Sequence, residues 1–163
     1  MIGKNLIIVA FFILILFFNC EMNQMPEWNE MLYGFSYNIN VDNLYEALEW
    51  CASNITYKTD SEVWGLLDYW QSPEQTYLLR SGDCEDSSIF FMYLLKEELD
   101  KSSNFVIVQS VDGGNCHAVV EVGDKWYEST CGIEADKTQY KVKTKYGYDQ
   151  AMYMATVFHN GSY

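Results

Sequence analysis

The chain contains 163 residues, which is enough for one domain and too few for two of ordinary size. Hydrophobic residues make up 49% and charged residues 20%, so the composition supports a packed core and excludes a chain that is disordered throughout. Its net charge of −13 repels phosphate backbones and anionic lipid headgroups, and we therefore expect no nucleic-acid partner.

Residues 1–20 have the organisation of an export signal. Lys4 precedes an unbroken apolar run over residues 6–18, which is shorter than the roughly 20 residues of a membrane span and typical of the hydrophobic region of a signal peptide. Cys20 follows and resembles the lipid-modified cysteine of bacterial lipoproteins, although residues 17–19 (Phe-Phe-Asn) replace the usual small residues. An uncleaved membrane anchor is the alternative, and both interpretations export the domain.

These features divide the chain into a signal peptide over residues 1–19, a tether over 20–30 that begins with the lipidation candidate Cys20, and a domain over 31–163. We expect a monomer in the bacterial cell envelope, either periplasmic or anchored at the membrane as a lipoprotein. Its only contact with the membrane would be the N-terminal lipid or anchor.

Hydrophobic residues recur at helical spacing through the first half of the domain. Predicted helices cover residues 42–51, about 61–70, a segment that starts at Ser72-Pro73-Glu74, and 84–99. Asp42 is the expected N-cap of the first helix. Leu67 and Trp70 lie on the expected buried side of the second helix. The last helix is apolar on most sides, so we expect it to be mainly buried.

The second half of the domain has the pattern of a sheet. Predicted strands cover residues 105–111, 116–122, 125–130 and 140–144, and residues 149–157 form a terminal helix or strand. Gly123-Asp124 is typical of a two-residue hairpin loop whose first residue is glycine. Helices followed by antiparallel strands predict an α+β domain.

Cys84 stands at the predicted start of the long helix, directly after Gly82-Asp83. A helix N-terminus offers unpaired N–H groups and the positive end of the helix dipole, and both favour a thiolate. A buried structural cysteine is the alternative at such a position. A catalytic thiol also needs a base. His117 lies on a predicted strand, whereas His159, the other histidine, lies close to the C-terminus, so His117 is the candidate.

The hairpin register places a carboxylate beside this histidine. If the two-residue loop after residue 122 is the whole connection, His117 faces Thr130, and Glu128 is its diagonal neighbour on the same face of the sheet. Diagonal partners have Cβ atoms roughly 7–8 Å apart, a gap that a Glu side chain can span. Glu128 can therefore orient His117, as the third member of a thiol triad does.

The domain has four cysteines, which are Cys51, Cys84, Cys116 and Cys131. In an exported protein they could form two disulfides, and pairing of Cys84 with Cys51 would exclude a catalytic thiol. In the hairpin register, Cys116 instead faces Cys131 on the side away from His117, where a cross-strand disulfide is geometrically feasible. A zinc site formed by Cys84, Cys116, His117 and Cys131 is disfavoured, because adjacent strand residues point to opposite faces.

Three segments carry a resemblance to a known family. GDCED at residues 82–86, HAVVEV at 117–122 and KWYEST at 125–130 resemble, in this order, the core of the transglutaminase-like superfamily. DYWQSPEQT at residues 68–76 is similar more narrowly to the bacterial transglutaminase-like cysteine peptidases. The resemblance extends over residues 44–131.

This resemblance implies a papain-like core, in which N-terminal helices carry the nucleophile at a helix N-terminus and pack on an antiparallel sheet. Cys84 would be the nucleophile, His117 the general base, and Glu128 would stand where the family usually has Asp. The oxyanion hole would combine the Cys84 backbone N–H with one upstream donor. The candidate donors, which are otherwise aromatic residues of the core, are Trp64, Tyr69 and Trp70.

Asp83, Glu85 and Asp86 surround the candidate thiol. The simpler interpretation is capping and favourable charge at a helix N-terminus. Some bacterial members of the family bind calcium through this segment, so the resemblance implies Ca²⁺ on these three residues. Crowded carboxylates would also raise the pKa of a thiol unless a cation offset them. The chemistry itself requires no cofactor.

The sequence therefore predicts an exported cysteine peptidase, or a related enzyme that transfers acyl groups from amide bonds, with a Cys84-His117-Glu128 triad and a peptide or protein substrate. The alternative is a catalytically inactive lipoprotein of the same fold that acts as a binding module. A third interpretation, a purely structural lipoprotein held by disulfides, predicts that no free thiol remains.

Overall fold

The computed structural model describes residues 37–157. The expected signal peptide, the lipidation candidate Cys20, the tether and His159 lie outside the described residues. The helices are α1 (Leu44–Asn54), α2 (Asp60–Val63), α3 (Pro73–Leu79), α4 (Cys84–Glu97) and α5 (Tyr148–Val157). The strands are β1 (Thr56–Tyr57), β2 (Ser81–Gly82), β3 (Asn104–Ser110), β4 (Cys116–Val122), β5 (Lys125–Glu128), β6 (Ile133–Ala135) and β7 (Tyr140–Gly147). Within the described range, no helix has the length and apolar character needed to cross a membrane.

Five strands form an antiparallel sheet in the order β6-β5-β4-β3-β7. The β4–β5 hairpin has the predicted register, because Val122 pairs with Lys125 across the two-residue loop. Gly123 supplies the positive φ of +62° that a Gly-first hairpin loop requires. The short strands β1 and β2 pair in parallel as a separate sheet and lead the chain into α4. The α+β prediction is confirmed.

The long helix α4 is the centre of the core. Its side chains from residue 86 to 92 are all buried, because the sheet covers one side of the helix while α1, α3 and α5 pack on the others. Phe90 and Phe91 have no exposed surface. Phe105 and Val120 belong to the sheet face that shares this core, whereas Val119 points into a smaller cluster on the opposite face. A helix enclosed on most sides explains the nearly continuous apolar sequence.

The predicted helix boundaries are partly wrong at the first helix. Its N-cap is Asn43 rather than Asp42, because the Asn43 side chain accepts hydrogen bonds from the backbone N–H groups of Tyr45 and Glu46. The helix also continues beyond Cys51 to Asn54. The predicted start of the next helix at Ser72-Pro73 is confirmed, since α3 begins at Pro73.

The predicted helix over residues 61–70 is wrong. Only Asp60–Val63 is helical, and Gly65 then adopts a left-handed backbone with φ +69°. Leu67, expected in the core, is fully exposed, although Trp70 is buried as predicted. Carboxylates outside the loop bind its backbone and set this path. The N–H of Tyr69 donates to Asp60, at 2.7 Å, and the N–H of Gln71 donates to Asp86, at 2.7 Å. Helical periodicity cannot reveal such a tertiary contact.

Two leucine substitutions test this correction. Leu94 is fully buried in α4, so Leu94→Ala should lower the free energy of unfolding by about 2–5 kcal/mol. Leu67→Ala removes the same atoms from an exposed loop and should change the free energy of unfolding by less than about 0.5 kcal/mol. Urea unfolding of both variants provides the measurement. A similarly large loss of unfolding free energy in Leu67→Ala would mean that residues 61–70 pack as the predicted helix after all.

Candidate active site

Cys84 is the first residue of α4, and Asp83 is the N-cap. The fold brings the chain into this position through β2, where Gly82 lies against the helix. A Cβ atom on Gly82 would lie 2.6 Å from the Oδ2 of Asp86, so the close approach requires glycine. The predicted placement of Cys84 at a helix N-terminus is confirmed.

The environment of the thiol opposes its ionisation. The Cys84 Sγ donates a hydrogen bond to the Oε2 of Glu85, at 3.0 Å. Burial raises the pKa of the Cys84 thiol far above its usual value, and the negative charges of Glu85 and Asp83 raise it further. A hydrogen bond from the backbone N–H of Ala118 lowers the pKa of the thiol, but it does not outweigh these effects. In this state the helix N-terminus alone does not produce a thiolate.

His117 lies at the second position of β4 and lines the same cavity as Cys84. The cavity has a volume of about 190 Å³, and its walls include Trp70, Glu85 and Ile107. In the structure the thiol hydrogen bond goes to Glu85 and not to His117. The two candidate catalytic residues therefore share a cavity without a direct bond between them.

Glu128 is the last residue of β5, and its Oε2 lies 3.3 Å from the Nε2 of His117. This is the contact that the hairpin register predicted. Because Glu128 binds Nε2, the Nδ1 atom of His117 is the ring nitrogen that remains for proton exchange. A His–carboxylate pair next to a thiol-containing cavity has the components that a thiol triad requires.

The strand that ends at Glu128 is shorter than predicted, and this corrects the expected disulfide. The backbone N–H groups of Cys131 and Gly132 both donate to the Glu128 carbonyl, so the chain turns before residue 130. Thr130 therefore does not pair with His117, and Cys131 does not face Cys116. Both of these cysteines are exposed free thiols, and the other two described cysteines, Cys51 and Cys84, are also unbonded.

The three oxyanion-hole candidates lie in different surroundings. Trp70 lines the cavity, and its indole N–H donates to Asp68, at 3.2 Å. Tyr69 is buried, and its hydroxyl accepts a hydrogen bond from the Gln75 side chain. The ring of Trp64 packs against Tyr69, with ring centroids 4.4 Å apart. Trp70 is thus the one of the three that the structure places beside Cys84.

The predicted acidic segment is part of a larger cluster. Three overlapping groups each have ligand atoms within 4.8 Å of one another: Asp60-Asp83-Asp86, Asp60-Asp68-Glu85 and Asp83-Cys84-Glu85. Sequence reasoning missed Asp60 and Asp68, which lie far from residues 83–86 along the chain. No local pattern marks them, because it is the tertiary fold that brings Asp60, at the start of α2, and Asp68, in the loop after α2, to the start of α4.

Burial and mutual repulsion disfavour ionisation of several carboxyl groups in this cluster. They raise the pKa of Asp60 to about 7 and that of Asp83 to about 8, and they place the pKa of Asp86 well above its usual value. Burial also raises the pKa of Glu85. The Oδ1 atoms of Asp60 and Asp83 are buried without a hydrogen-bond partner. Buried carboxylate oxygens that lack donors are suited to a hard metal cation, so the cluster could hold one.

Buried helices pack on an antiparallel sheet, with a cysteine at the start of α4 and a histidine on β4, and this arrangement is similar to the transglutaminase-like fold. Solved structures agree with this class. LapG of Legionella pneumophila in an EGTA-treated form superimposes with a TM-score of 0.50 at 16% identity, over 69% of this chain and 77% of LapG. LapG is a bacterial transglutaminase-like cysteine peptidase, so the predicted fold class is confirmed.

Two further LapG structures are similar. One has a TM-score of 0.48 at 17% identity and aligns 71% of this chain with 81% of LapG. The other, a calcium-bound form, has a TM-score of 0.49 at 18% identity and aligns 63% of this chain with 62% of LapG. No protein-family model and no curated protein sequence matches the chain. At 16% identity, the likeness to the EGTA-treated form of LapG shows the fold alone.

The acidic cluster predicts an unusual dependence of stability on pH. Folded Asp60 and Asp83 keep their protons at pH values where an unfolded Asp, with a pKa of about 3.9, has lost its own. The folded state therefore binds more protons between about pH 4 and pH 8, and the protein without metal should lose stability as the pH rises through this range. We expect the melting temperature in EGTA to fall by about 5 °C or more between about pH 5 and pH 8.

Asp60→Asn should flatten this dependence, because it removes one of the carboxyl groups responsible. Asp112→Asn, in an exposed turn, is the matched control and should leave the slope unchanged. Thermal unfolding monitored by circular dichroism gives the measurement. A melting temperature that rises through the same pH range would contradict the raised pKa values of the cluster.

Proposed function

We propose that the protein is an exported cysteine peptidase, or a related enzyme that transfers acyl groups from amide bonds. The observation that carries this proposal is the single cavity lined by Cys84 at a helix start and by His117, which is itself bonded to Glu128. The transglutaminase-like fold supports it, because this fold is shared with LapG, a cysteine peptidase.

In the proposed mechanism, His117 accepts the Cys84 proton and the thiolate attacks the substrate carbonyl carbon. The Cys84 backbone N–H and one upstream donor, for which Trp70 is the candidate that lines the cavity, stabilise the oxyanion. His117 then gives its proton to the departing amine, which leaves a thioester on Cys84. Water, activated by His117, hydrolyses the thioester, and an amine in place of water would give transamidation. Glu128 holds the imidazole ring and stabilises its cationic form.

We further propose that the acidic cluster binds calcium. Asp83, Glu85 and Asp86 would hold the ion, together with Asp60, whose orphaned oxygen is part of the same cluster. Bound calcium supplies positive charge beside the carboxylates that raise the pKa of Cys84. In this proposal the cation is a condition for thiol ionisation and takes no part in bond making or breaking.

The proposed localisation rests on the N-terminal segment. We propose export through residues 1–19 and attachment at the cell envelope through Cys20. The substrate is a peptide or protein, and the enzyme acts as a monomer.

One observation favours the second candidate, an inactive binding module of the same fold. The Cys84 thiol donates to Glu85 and its pKa is raised, which is the opposite of an activated nucleophile. The enzyme and the binding module differ in whether a bound cation lowers the pKa of the Cys84 thiol again.

Alkylation of Cys84 by iodoacetamide, followed by peptide mass spectrometry over a range of pH, distinguishes them. For an enzyme, calcium should shift the reactivity curve of Cys84 below the free-thiol pKa of about 8.5, and His117→Ala should abolish that shift. In EGTA, Cys84 should react more slowly than in the urea-unfolded protein, because burial and Glu85 raise its pKa. A thiol that stays unreactive in calcium would favour the binding module.

Glu85→Gln tests the electrostatic part of the proposal. In EGTA it should increase the alkylation rate of Cys84 several-fold near neutral pH, because it removes the largest charge contribution that raises the thiol pKa. It should also weaken the response to calcium. Glu49→Gln, on the exposed side of α1, is the matched control and should change neither property. An unchanged alkylation rate in Glu85→Gln would mean that the charge of Glu85 does not raise the pKa of the Cys84 thiol.

A further inference from the structure

Glu128 has a longer and more mobile side chain than the Asp that usually orients a catalytic histidine. One extra methylene adds a rotatable bond, so a free Glu can leave the imidazole more easily. In this protein both of its carboxylate oxygens are engaged. Oε2 meets the Nε2 of His117 at 3.3 Å and accepts from the Cys131 thiol at 3.6 Å, while Oε1 accepts from the Tyr140 hydroxyl at 2.8 Å.

Tyr140 comes from a different part of the chain. It is the first residue of β7, at the far edge of the sheet, and it pairs there with Ser110. Its ring lies across the sheet face that contains His117, with the two ring centroids 6.3 Å apart. The ring packs against the small apolar cluster that includes Val108 and Val119. Because this packing fixes the ring, the hydroxyl is a fixed donor that points at Glu128.

The hydroxyl also remains a donor under working conditions. Burial, together with the hydrogen bond and the negative charge of Glu128, raises the pKa of Tyr140 to about 12. The group therefore keeps its proton at every pH at which a Cys–His pair operates. Tyr140 lies outside the motifs that resemble the peptidase family, and its contact with Glu128 is visible only in the fold.

We infer that Tyr140 is a positioning residue whose hydroxyl holds the Glu128 carboxylate against His117, and that this contact compensates for the length of the Glu side chain. The inference rests on the proposed function, in which His117 is the base. Two other roles are conceivable for the same contact. The hydroxyl could draw the carboxylate away from His117, or the ring could contribute packing alone.

Tyr140→Phe separates these roles, because it keeps the ring and removes only the donor. The NMR signal of the His117 ring N–H proton in the full-length protein gives the readout, and His117→Ala assigns it. An N–H group that donates to a carboxylate resonates at low field, so if Tyr140 positions Glu128, this signal should move to higher field in Tyr140→Phe, towards its position in Glu128→Ala. An unchanged signal would leave only ring packing, and a shift to lower field would show competition. Either result would overturn the inference.

A double-mutant cycle provides the second measurement. In calcium-containing buffer, Tyr140→Phe should slow the alkylation of Cys84 by roughly tenfold, the scale of one hydrogen bond to a charged group, and should cause no further loss in Glu128→Ala. Equal slowing in both backgrounds would mean that Tyr140 does not act through Glu128, which contradicts the inference. Tyr153→Phe, on the exposed side of α5, is the matched control.

Failure of the proposed function would look different. If Cys84 is alkylated equally fast in the unmodified protein and in His117→Ala, the peptidase proposal fails. The ring N–H signal of His117 in Tyr140→Phe still decides the role of Tyr140 in that case.

Discussion

The site depends on one carboxyl group buried at the start of a helix. Asp86 has no exposed surface, and its two oxygens accept hydrogen bonds from the backbone N–H groups of Gln71 and Asp83. The first bond ties the loop before α3 to α4, and the second closes the first turn of α4. Gly82 leaves room for this carboxyl group. Asp86 therefore positions both the loop that carries Trp70 and the helix turn that carries Cys84.

This arrangement creates an electrostatic conflict at the nucleophile. The N-terminus of α4 favours a negative thiolate, but the carboxylates that build the same helix start oppose it. The orphaned oxygens of Asp60 and Asp83 show that the cluster is not satisfied by protein donors alone. Such a cost to folding is retained in proteins mainly where function requires it. A cation is the simplest group that would satisfy the oxygens and relieve the thiol together.

The parts of the fold that follow from local physics could be predicted from the sequence. Apolar periodicity revealed α4, and the Gly-first loop fixed the register that brings Glu128 to His117. The parts that depend on distant partners could not. The loop after Gly65 follows carboxylates that lie elsewhere in the chain, and β5 ends early because the Glu128 carbonyl closes a turn. Tyr140 lies on β7, three positions from the strand β5 that carries Glu128, and no spacing rule in the sequence links the two residues.

A thiol on a helix must stay aligned with a histidine on a sheet. Ser88, one turn after Cys84, links α4 to the sheet, because its hydroxyl lies 3.4 Å from the Ala118 carbonyl oxygen and 3.3 Å from the Ser129 hydroxyl. Ala118 follows the candidate base, and Ser129 follows the carboxylate that orients it. A fully buried serine with these contacts ties the helix to both strands of the hairpin. In our proposal Tyr140 holds Glu128 against His117 within the sheet, while the contacts of Ser88 connect α4 to the hairpin, so each partner of Cys84 is linked to a second part of the fold.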